Sequence, residues 1–146
     1  NQVSMTVHYN QNYLFSYSLL TEQYTGGAHG GRTWLNRVID LRTGESIDED
    51  ELFATEAKKR LTELIIRKIM NQHHATQLSD LEDIGFFGIS DLTLNHNFYL
   101  DDKGLTYTYN EYEIAAYAVG AVHVFIPYEE LTGFLKEGNP LSAMLS

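Results

Sequence analysis

Residues 55–74, TEAKKRLTELIIRKIMNQHH, decide the fold class, because their hydrophobic period differs from that of the segments on either side. The apolar side chains recur at the spacing of an amphipathic helix, and they are Ala57, Leu61, Leu64, Ile65 and Ile69. Lysine, arginine and glutamate mostly occupy the opposite face. Thr55 suits the N-cap position and Glu56 suits the first turn. The stretch therefore predicts one long helix.

The segments before this helix alternate with a period of two. Residues 3–9 and 13–24 read as two strands, with a turn at 10–12 between them. We expect a half-buried antiparallel hairpin, followed by a third strand at about 33–41. The glycine-rich segment 26–31 between the second and third strands cannot be a regular strand interior. It indicates a bulge or a loop that uses positive φ.

The segments after the helix supply a second group of strands. Residues 97–100 and 105–109 flank the turn signal DDKG at 101–104 and predict a hairpin. A further strand at 121–126 ends at a proline. Residues 128–135 predict a short helix, with two glutamates in its first turn.

The order of predicted elements is three strands, a helix, three strands and a helix. This order is typical of an α+β fold, with a mainly antiparallel sheet and one long and one short C-terminal helix packed on one face. A chain of 146 residues has the commonest size of one domain. We therefore expect a single α+β domain over residues 1–146.

The composition excludes several classes of site and partner. The chain has 20 acidic and 10 basic residues and a formal net charge of −10, which disfavours nucleic acid and anionic membranes as partners. The same charge is compatible with a basic protein or a cation. The lack of cysteine excludes disulfides, thiolate nucleophiles and cysteine-based zinc sites. No apolar stretch is long enough to span a membrane.

Two blocks of residues resemble a known family. The first block consists of 24–30 (YTGGAHG), Asn36, 40–44 (DLRTG) and 51–53 (ELF). The second consists of 97–100 (NFYL), 104–105 (GL), 112–115 (YEIA), 117–118 (YA), Gly120 and 126–128 (IPY). In order and spacing the blocks resemble the RsiV C-terminal domain family. Ala116 stands where that family often has proline.

The resemblance implies a location outside the cytoplasm. The family occurs in bacterial exported proteins and lipoproteins, in the anti-sigma factor RsiV, and beside polysaccharide deacetylase domains. A chain that begins at Asn1 inside a strand pattern agrees with removal of a leader, a lipid-anchor segment or an upstream domain. We therefore expect a periplasmic protein or a surface-anchored lipoprotein.

The resemblance also implies binding without established catalytic residues. At least one branch of the family binds lysozyme as a signal of cell-wall stress. Lysozyme is strongly basic, so its charge complements the −10 of this chain. We expect a non-catalytic binding or sensing module of the cell envelope, whose ligand is a lysozyme-like basic protein or peptidoglycan.

The candidate binding residues lie in the glycine-rich segment and in residues 112–117. Glycines let the backbone approach a ligand closely, and a histidine such as His29 can act as a proton donor or acceptor near neutral pH or bind a metal. The alternatives are a structural bulge at His29 and a structural loop at 112–117. The predicted ligand-binding set is Tyr24, His29, Arg32, Tyr112, Glu113 and Tyr117.

No motif nominates a catalytic residue, a metal or a cofactor. The chain lacks G-x-S-x-G, H-E-x-x-H and a phosphate-binding loop. The adjacent His73 and His74 would point apart on a helix. The acidic residues 48–51 lack calcium-loop spacing and read as a solvated approach to the helix. Two alternatives stay open: an accessory domain packed against a catalytic domain such as a polysaccharide deacetylase, and a cell-wall hydrolase that uses a carboxylate pair.

Overall fold

The computed structural model describes residues 1–24 and 30–145. The strands are β1 Gln2–Gln11, β2 Leu14–Gln23, β3 Gly31–Asp40, β4 Glu45–Ser46, β5 Phe98–Leu100, β6 Gly104–Tyr109 and β7 Val122–Pro127. The helices are α1 Glu49–Leu52, α2 Thr55–Gln72, α3 Leu78–Asp83, α4 Tyr128–Leu131 and α5 Ser142–Leu145, with 3₁₀ turns at Ile89–Asp91 and Thr132–Phe134. None of the helices in these ranges is long and apolar enough to cross a membrane. The predicted α+β class is confirmed.

The strands are divided between two antiparallel sheets. The first sheet has the order β1-β2-β3-β4 and the second has the order β5-β6-β7. The register of β1 on β2 shifts between Val7 and Tyr9, which places a bulge at His8. The predicted hairpin at 97–109 is the β5-β6 pair, in which Phe98 lies opposite Tyr107.

The two sheets are joined by hydrogen bonds between side chains and backbone groups, and not by a backbone ladder between the described strands. The Asn36 backbone N–H on β3 donates to Asn97 Oδ1 at 2.7 Å. The Leu100 backbone N–H on β5 donates to Ser16 Oγ at 2.8 Å. Because side-chain oxygens satisfy these N–H groups, the sheets meet through polar side chains and stay separate.

The long helix α2 covers the second sheet. The sequence places five apolar residues on one face of this helix. Ala57, Leu61, Ile65 and Ile69 are buried, and Leu64 is half-buried. Leu61, Ile65 and Ile69 join the inward side chains of β6 and β7 in one apolar core. The helix begins one residue earlier than predicted, because Ala54 in extended conformation is the N-cap and Thr55 is already helical. The predicted short helix near the C-terminus is α4, which continues into a 3₁₀ turn.

The prediction of a half-buried first strand is wrong for most of β1. Val3, Met5 and Val7 are exposed, and so are the polar residues Ser4 and Thr6 on the opposite face. Within the described residues no element covers either face of this part of β1. The buried face of the first sheet begins further along it, and its buried residues are Leu14, Ser16, Ser18, Asn36 and Val38.

Candidate functional site

Three of the predicted binding residues line one cleft at the end of the β2-β3 pair where Gln23 lies opposite Gly31. Tyr24 follows β2, Arg32 lies near the start of β3, and Tyr117 comes from the segment between β6 and β7. The cleft has a volume of about 100 Å³ and is also bordered by Glu22, Gly30 and Gly31. Tyr112 lies beside it, with its ring centroid 6.2 Å from that of Tyr117. We call Tyr24, Arg32, Tyr112 and Tyr117 the tyrosine surface.

The side chains of the tyrosine surface are displayed outward. Tyr24 is 86% exposed and Tyr112 is 59% exposed. Arg32 lies directly opposite Glu22 in the β2-β3 register, and its Nε is 3.7 Å from Glu22 Oε2. An exposed ion pair of this kind contributes little to stability. The Arg32 guanidinium also lies 5.8 Å from the ring centroid of Trp34, so two neighbours orient it at the edge of the cleft.

Asn110 holds the Tyr112 segment against β3. The Trp34 backbone N–H donates to Asn110 Oδ1 at 2.7 Å, and Asn110 Nδ2 donates to the Trp34 carbonyl at 2.9 Å. These two hydrogen bonds to the Trp34 backbone are of the kind that a residue on a neighbouring strand would make. Tyr112 itself has φ of +71°, a left-handed conformation that non-glycine residues rarely adopt. The surrounding hydrogen bonds therefore fix an unusual backbone that projects the tyrosine into solvent.

The Glu113 carboxylate stabilises the same loop through hydrogen bonds inside the domain. Its Oε1 accepts from the Asn110 backbone N–H at 2.8 Å, and its Oε2 accepts from Asn95 Nδ2 at 3.1 Å. Both carboxylate oxygens therefore have partners inside the domain, and Glu113 does not line the cleft of Tyr24, Arg32 and Tyr117. This geometry matches the alternative of a structural loop for this residue.

His29 falls outside the described residues, as do 25–28. The glycine-rich segment is therefore described only at Gly30 and Gly31, which border the cleft. The prediction of a binding role for His29 stays a prediction.

A buried carboxylate forms a second constellation, which the sequence does not single out. Glu49 at the start of α1 is only 3% exposed, although the acidic residues 48–51 are expected to be solvated. The expectation is correct for Asp48, Asp50 and Glu51, which are exposed. Asp48 and Glu51 form a capping box on α1, and this short helix turns Glu49 inward on the same face as Leu52.

Three groups contact the Glu49 carboxylate. Tyr107 Oη donates to Oε2 at 3.0 Å, and the His96 backbone N–H donates to the same oxygen at 2.8 Å. The His96 Nδ1 lies against Oε1. Burial, with the neighbouring Glu49 charge as a second cause, raises the pKa of Tyr107 well above its ordinary value. Tyr107 therefore remains a protonated donor to the carboxylate.

A cleft of about 510 Å³ opens beside this carboxylate. We call it the Glu49 cleft, and its walls include Glu49, Asp50, Lys58, Leu92, Leu94 and His96. Lys58 is paired with Asp50. His96 has φ of +62°, a conformation in which histidine is found more often than most residues. Among the described residues no three histidine, aspartate or glutamate side chains are placed to hold a metal ion.

A chain of hydrogen bonds crosses the interface between the two sheets. His8 Nε2 lies 2.8 Å from Ser18 Oγ, and Ser18 Oγ donates to Asn36 Oδ1 at 2.6 Å. Asn36 Nδ2 donates to Thr108 Oγ1 at 2.9 Å, and Thr108 Oγ1 lies 2.9 Å from His123 Nδ1. The Ser18 proton is committed to Asn36, so Ser18 accepts its other bond from His8 Nε2–H. The network therefore links a histidine on β1 to one on β7.

The two histidines at the ends of this hydrogen-bond network, His8 and His123, favour the neutral state. Burial lowers the pKa of His8, and the nearby Asp101 charge partly offsets this. Burial also lowers the pKa of His123, and the charge of Arg32 lowers it further. A neutral His123 accepts a hydrogen bond at Nδ1 from the Thr108 hydroxyl, and this bond completes the network without a buried charge.

Comparison with known proteins identifies the family. The family model described as "Protein of unknown function (DUF3298)" matches residues 50–129. A crystal structure of a DUF3298 family member from Bacteroides fragilis is 33% identical, with a TM-score of 0.85, over 99% of this chain and 56% of that one. A DUF3298 family protein from Pseudomonas aeruginosa is 20% identical, with a TM-score of 0.70, over 92% of this chain and 61% of that one; at this identity the likeness shows the fold alone.

The chain spans less than two thirds of the length of either solved relative. No curated protein matches it. Neither relative's description names RsiV, so that closer relationship stays a prediction. The family model covers more than half of the chain, and the Bacteroides fragilis relative is similar over almost all of it. The chain belongs to the DUF3298 family.

Proposed function

We propose that this domain is a non-catalytic binding module outside the cytoplasm, in the cell envelope, and that it recognises a basic, lysozyme-like protein through the tyrosine surface. The observation that carries the proposal is the convergence of Tyr24, Arg32 and Tyr117 on one cleft, with Tyr112 beside it. Tyr24 and Arg32 lie 80 or more positions before Tyr112 and Tyr117 in the chain.

The residue types at this surface are those that dominate binding energy in protein interfaces. Tyrosine and arginine are enriched among interface hot spots, because each supplies a large contact area together with hydrogen-bonding groups. Tyr24 and Tyr112 expose most of their surface and contribute little to the core. Asn110 fixes the Tyr112 segment against Trp34 in advance, which lowers the entropy cost of binding.

The charge of the chain supports a basic partner. A net charge of −10 attracts a cationic protein over several ångströms and raises the rate of encounter. The resemblance to the RsiV C-terminal domain family points to the same class of partner and to the same compartment. Recognition, and not turnover, suits the cleft, because the one carboxylate among its described lining residues, on Glu22, is already paired with Arg32.

Cell-wall glycan is a second candidate ligand, favoured by the size of the cleft. A volume of about 100 Å³ between two tyrosines suits a small ring better than a protein loop. Tyrosine rings offer an apolar face, and the exposed Tyr24 hydroxyl together with Arg32 offers donors for sugar oxygens.

Titration calorimetry against lysozyme and against peptidoglycan fragments tests the proposal. We expect lysozyme to bind, and Arg32→Ala and Tyr112→Ala each to weaken binding by about tenfold or more, as for hot-spot residues. Tyr13 and Arg42 provide a matched control, because Tyr13 is also exposed and the Arg42 guanidinium lies 4.6 Å from its ring centroid. Tyr13→Ala and Arg42→Ala should leave binding unchanged.

Three results would contradict the proposal. Absence of a heat of binding with lysozyme and with the peptidoglycan fragments would exclude both as ligands. An equal loss in the control variants would show that the tyrosine surface is not the binding face. Release of soluble fragments from peptidoglycan by the purified domain would show that it is an enzyme.

A further inference from the structure

The two oxygens of the buried Glu49 carboxylate are unequally satisfied. Oε2 accepts hydrogen bonds from Tyr107 Oη and from the His96 backbone N–H. Oε1 makes no hydrogen bond of good geometry, and its polar neighbour is the His96 imidazole. A buried carboxylate oxygen without a well-aligned donor costs free energy, so this oxygen has capacity for a better partner.

The His96 imidazole is a displaceable neighbour of that oxygen. Its side chain is 71% exposed, whereas the Glu49 side chain is 3% exposed. The backbone N–H of His96 binds Oε2 independently of the ring. Rotation of the imidazole into solvent would therefore leave the loop attached to Glu49 and would open Oε1 towards the Glu49 cleft.

The walls of the Glu49 cleft combine negative charge with apolar surface. Leu92 and Leu94 supply the apolar part. Glu49 and Asp50 supply two carboxylates, and Lys58 is already paired with Asp50. A ligand with a positively charged nitrogen on an apolar stem fits such walls, because the nitrogen gains charge-assisted hydrogen bonds while the stem covers the leucines. An anion would meet the Glu49 carboxylate and be repelled.

We propose that the Glu49 cleft is a binding site for an organic ammonium or guanidinium group, which donates to Glu49 Oε1 in the place now held by the His96 imidazole. The site shares no residue with the tyrosine surface, so it goes beyond the function proposed above and does not depend on it. Tyr107 and the His96 backbone are positioning groups in this site, because they fix the carboxylate through Oε2.

Titration of the ¹⁵N-labelled domain with n-butylammonium and n-butylguanidinium tests the site by NMR. We expect saturable shifts of the His96 and Tyr107 amide signals with at least one of these cations. Butyrate and n-butanol have stems of similar length but lack the positive charge, and they should give no saturable shift. Equal shifts with n-butanol would show that the cleft recognises only apolar stems and would overturn the proposal.

Glu49→Gln should weaken the binding of the cation by about tenfold or more, the usual effect of losing a hydrogen bond to a charged group. Glutamine keeps an oxygen for Tyr107 and the His96 N–H, so the variant should fold. Glu45→Gln removes one charge from an exposed position on β4 and serves as the matched control. It should bind as the wild type does; equal weakening in both variants would indicate a general charge effect and would overturn the site.

His96→Gly supplies a second, opposite test. Glycine adopts the φ of +62° without strain and keeps the backbone N–H, but it removes the competing imidazole. We expect this variant to bind n-butylammonium several-fold more tightly than the wild type. Absence of saturable shifts in both the wild type and His96→Gly would overturn the proposal, even if Glu49→Gln failed to fold.

Discussion

Strands β1 and β6 alternate in sequence in the same way but have opposite environments. All six residues of β6 are buried, the threonines as well as the tyrosines. Most of β1 is exposed on both faces. The strand β6 lies between β5 and β7, and its apolar side chains share a core with α2. In the described part of the chain β1 pairs with β2 alone.

The difference shows what a period of two does and does not establish. Alternation predicts an extended strand, because successive side chains point to opposite faces. It does not say how many faces another layer covers. In β6 the polar face is buried as well, and Thr108 is tolerated there because it bonds to Asn36 and His123. In β1 the side chains of Val3, Met5 and Val7 meet solvent, because no described element packs against them.

The largest expected effect is the difference in stability loss between alanine substitutions of two leucines, one in each sheet. Leu105 on β6 is fully buried, whereas Leu35 on β3 is exposed. Leu105→Ala should lower the free energy of unfolding by about 2–5 kcal/mol, because it removes buried methyl groups and leaves a cavity. Leu35→Ala should cost less than about 1 kcal/mol. Urea unfolding followed by circular dichroism measures both, and equal losses would show that the outer face of the first sheet is packed in solution.

The next effect concerns the polar contact between the sheets. Asn36 accepts from Ser18 and donates to Thr108 and to the Asn97 carbonyl. Asn36→Ala should lower the free energy of unfolding by about 2–3 kcal/mol, because it leaves buried polar groups without partners. Asn10→Ala changes an exposed asparagine on β1 and should cost about 0.5 kcal/mol or less. A loss below about 1 kcal/mol for Asn36→Ala would mean that water replaces its hydrogen bonds.

A smaller effect should follow the protonation of the two histidines that end this network. Both His8 and His123 have a lowered pKa in the folded state. A histidine in an unfolded chain has a pKa of about 6.5. Below that pH, His8 and His123 therefore bind protons more readily in the unfolded chain than in the folded one. Their stabilising contribution is therefore present above that pH and is lost as the pH falls through the lowered folded values.

Urea unfolding at pH 7.5, 6.5 and 5.5 measures this dependence. The free energy of unfolding should fall towards pH 5.5 in the wild type and fall less in the double variant His8→Gln, His123→Gln. The side-chain hydrogen bond from Lys58 lowers the pKa of the Asp50 carboxyl group, and the backbone hydrogen bond from Thr76 lowers the pKa of the Asp80 carboxyl group. Both groups therefore titrate below this pH range. An identical pH dependence in the double variant would show that other groups are responsible.

The α+β class and the long helix could be predicted because they depend on local periodicity. The apolar positions of α2 gave its buried face correctly, and DDKG at 101–104 located the β5-β6 turn. The division into two sheets could not be predicted, since it depends on bonds from Asn97 and Ser16 side chains to distant backbone groups. No pattern in the sequence pairs residues more than 60 positions apart.

The candidate sites were predictable to different degrees. Tyr24 and Arg32 flank the glycine-rich segment, so their proximity follows from a hairpin, whereas the arrival of Tyr117 follows from the tertiary fold. Glu49 was missed because three exposed acidic neighbours surround it in the sequence. A signal was available, since Asp48 and Glu51 have capping-box spacing, which predicts a helical turn with Glu49 and Leu52 on one face.

The smallest expected effect is that of a charge placed on the exposed strand. Met5→Lys should change the free energy of unfolding by about 0.5 kcal/mol or less, because Met5 is 53% exposed and lysine is well tolerated on edge strands. A loss above about 1.5 kcal/mol for Met5→Lys would contradict the exposure of β1. If that loss diminished on dilution, a second copy of the chain would be covering the strand, since only an intermolecular contact weakens as the protein concentration falls.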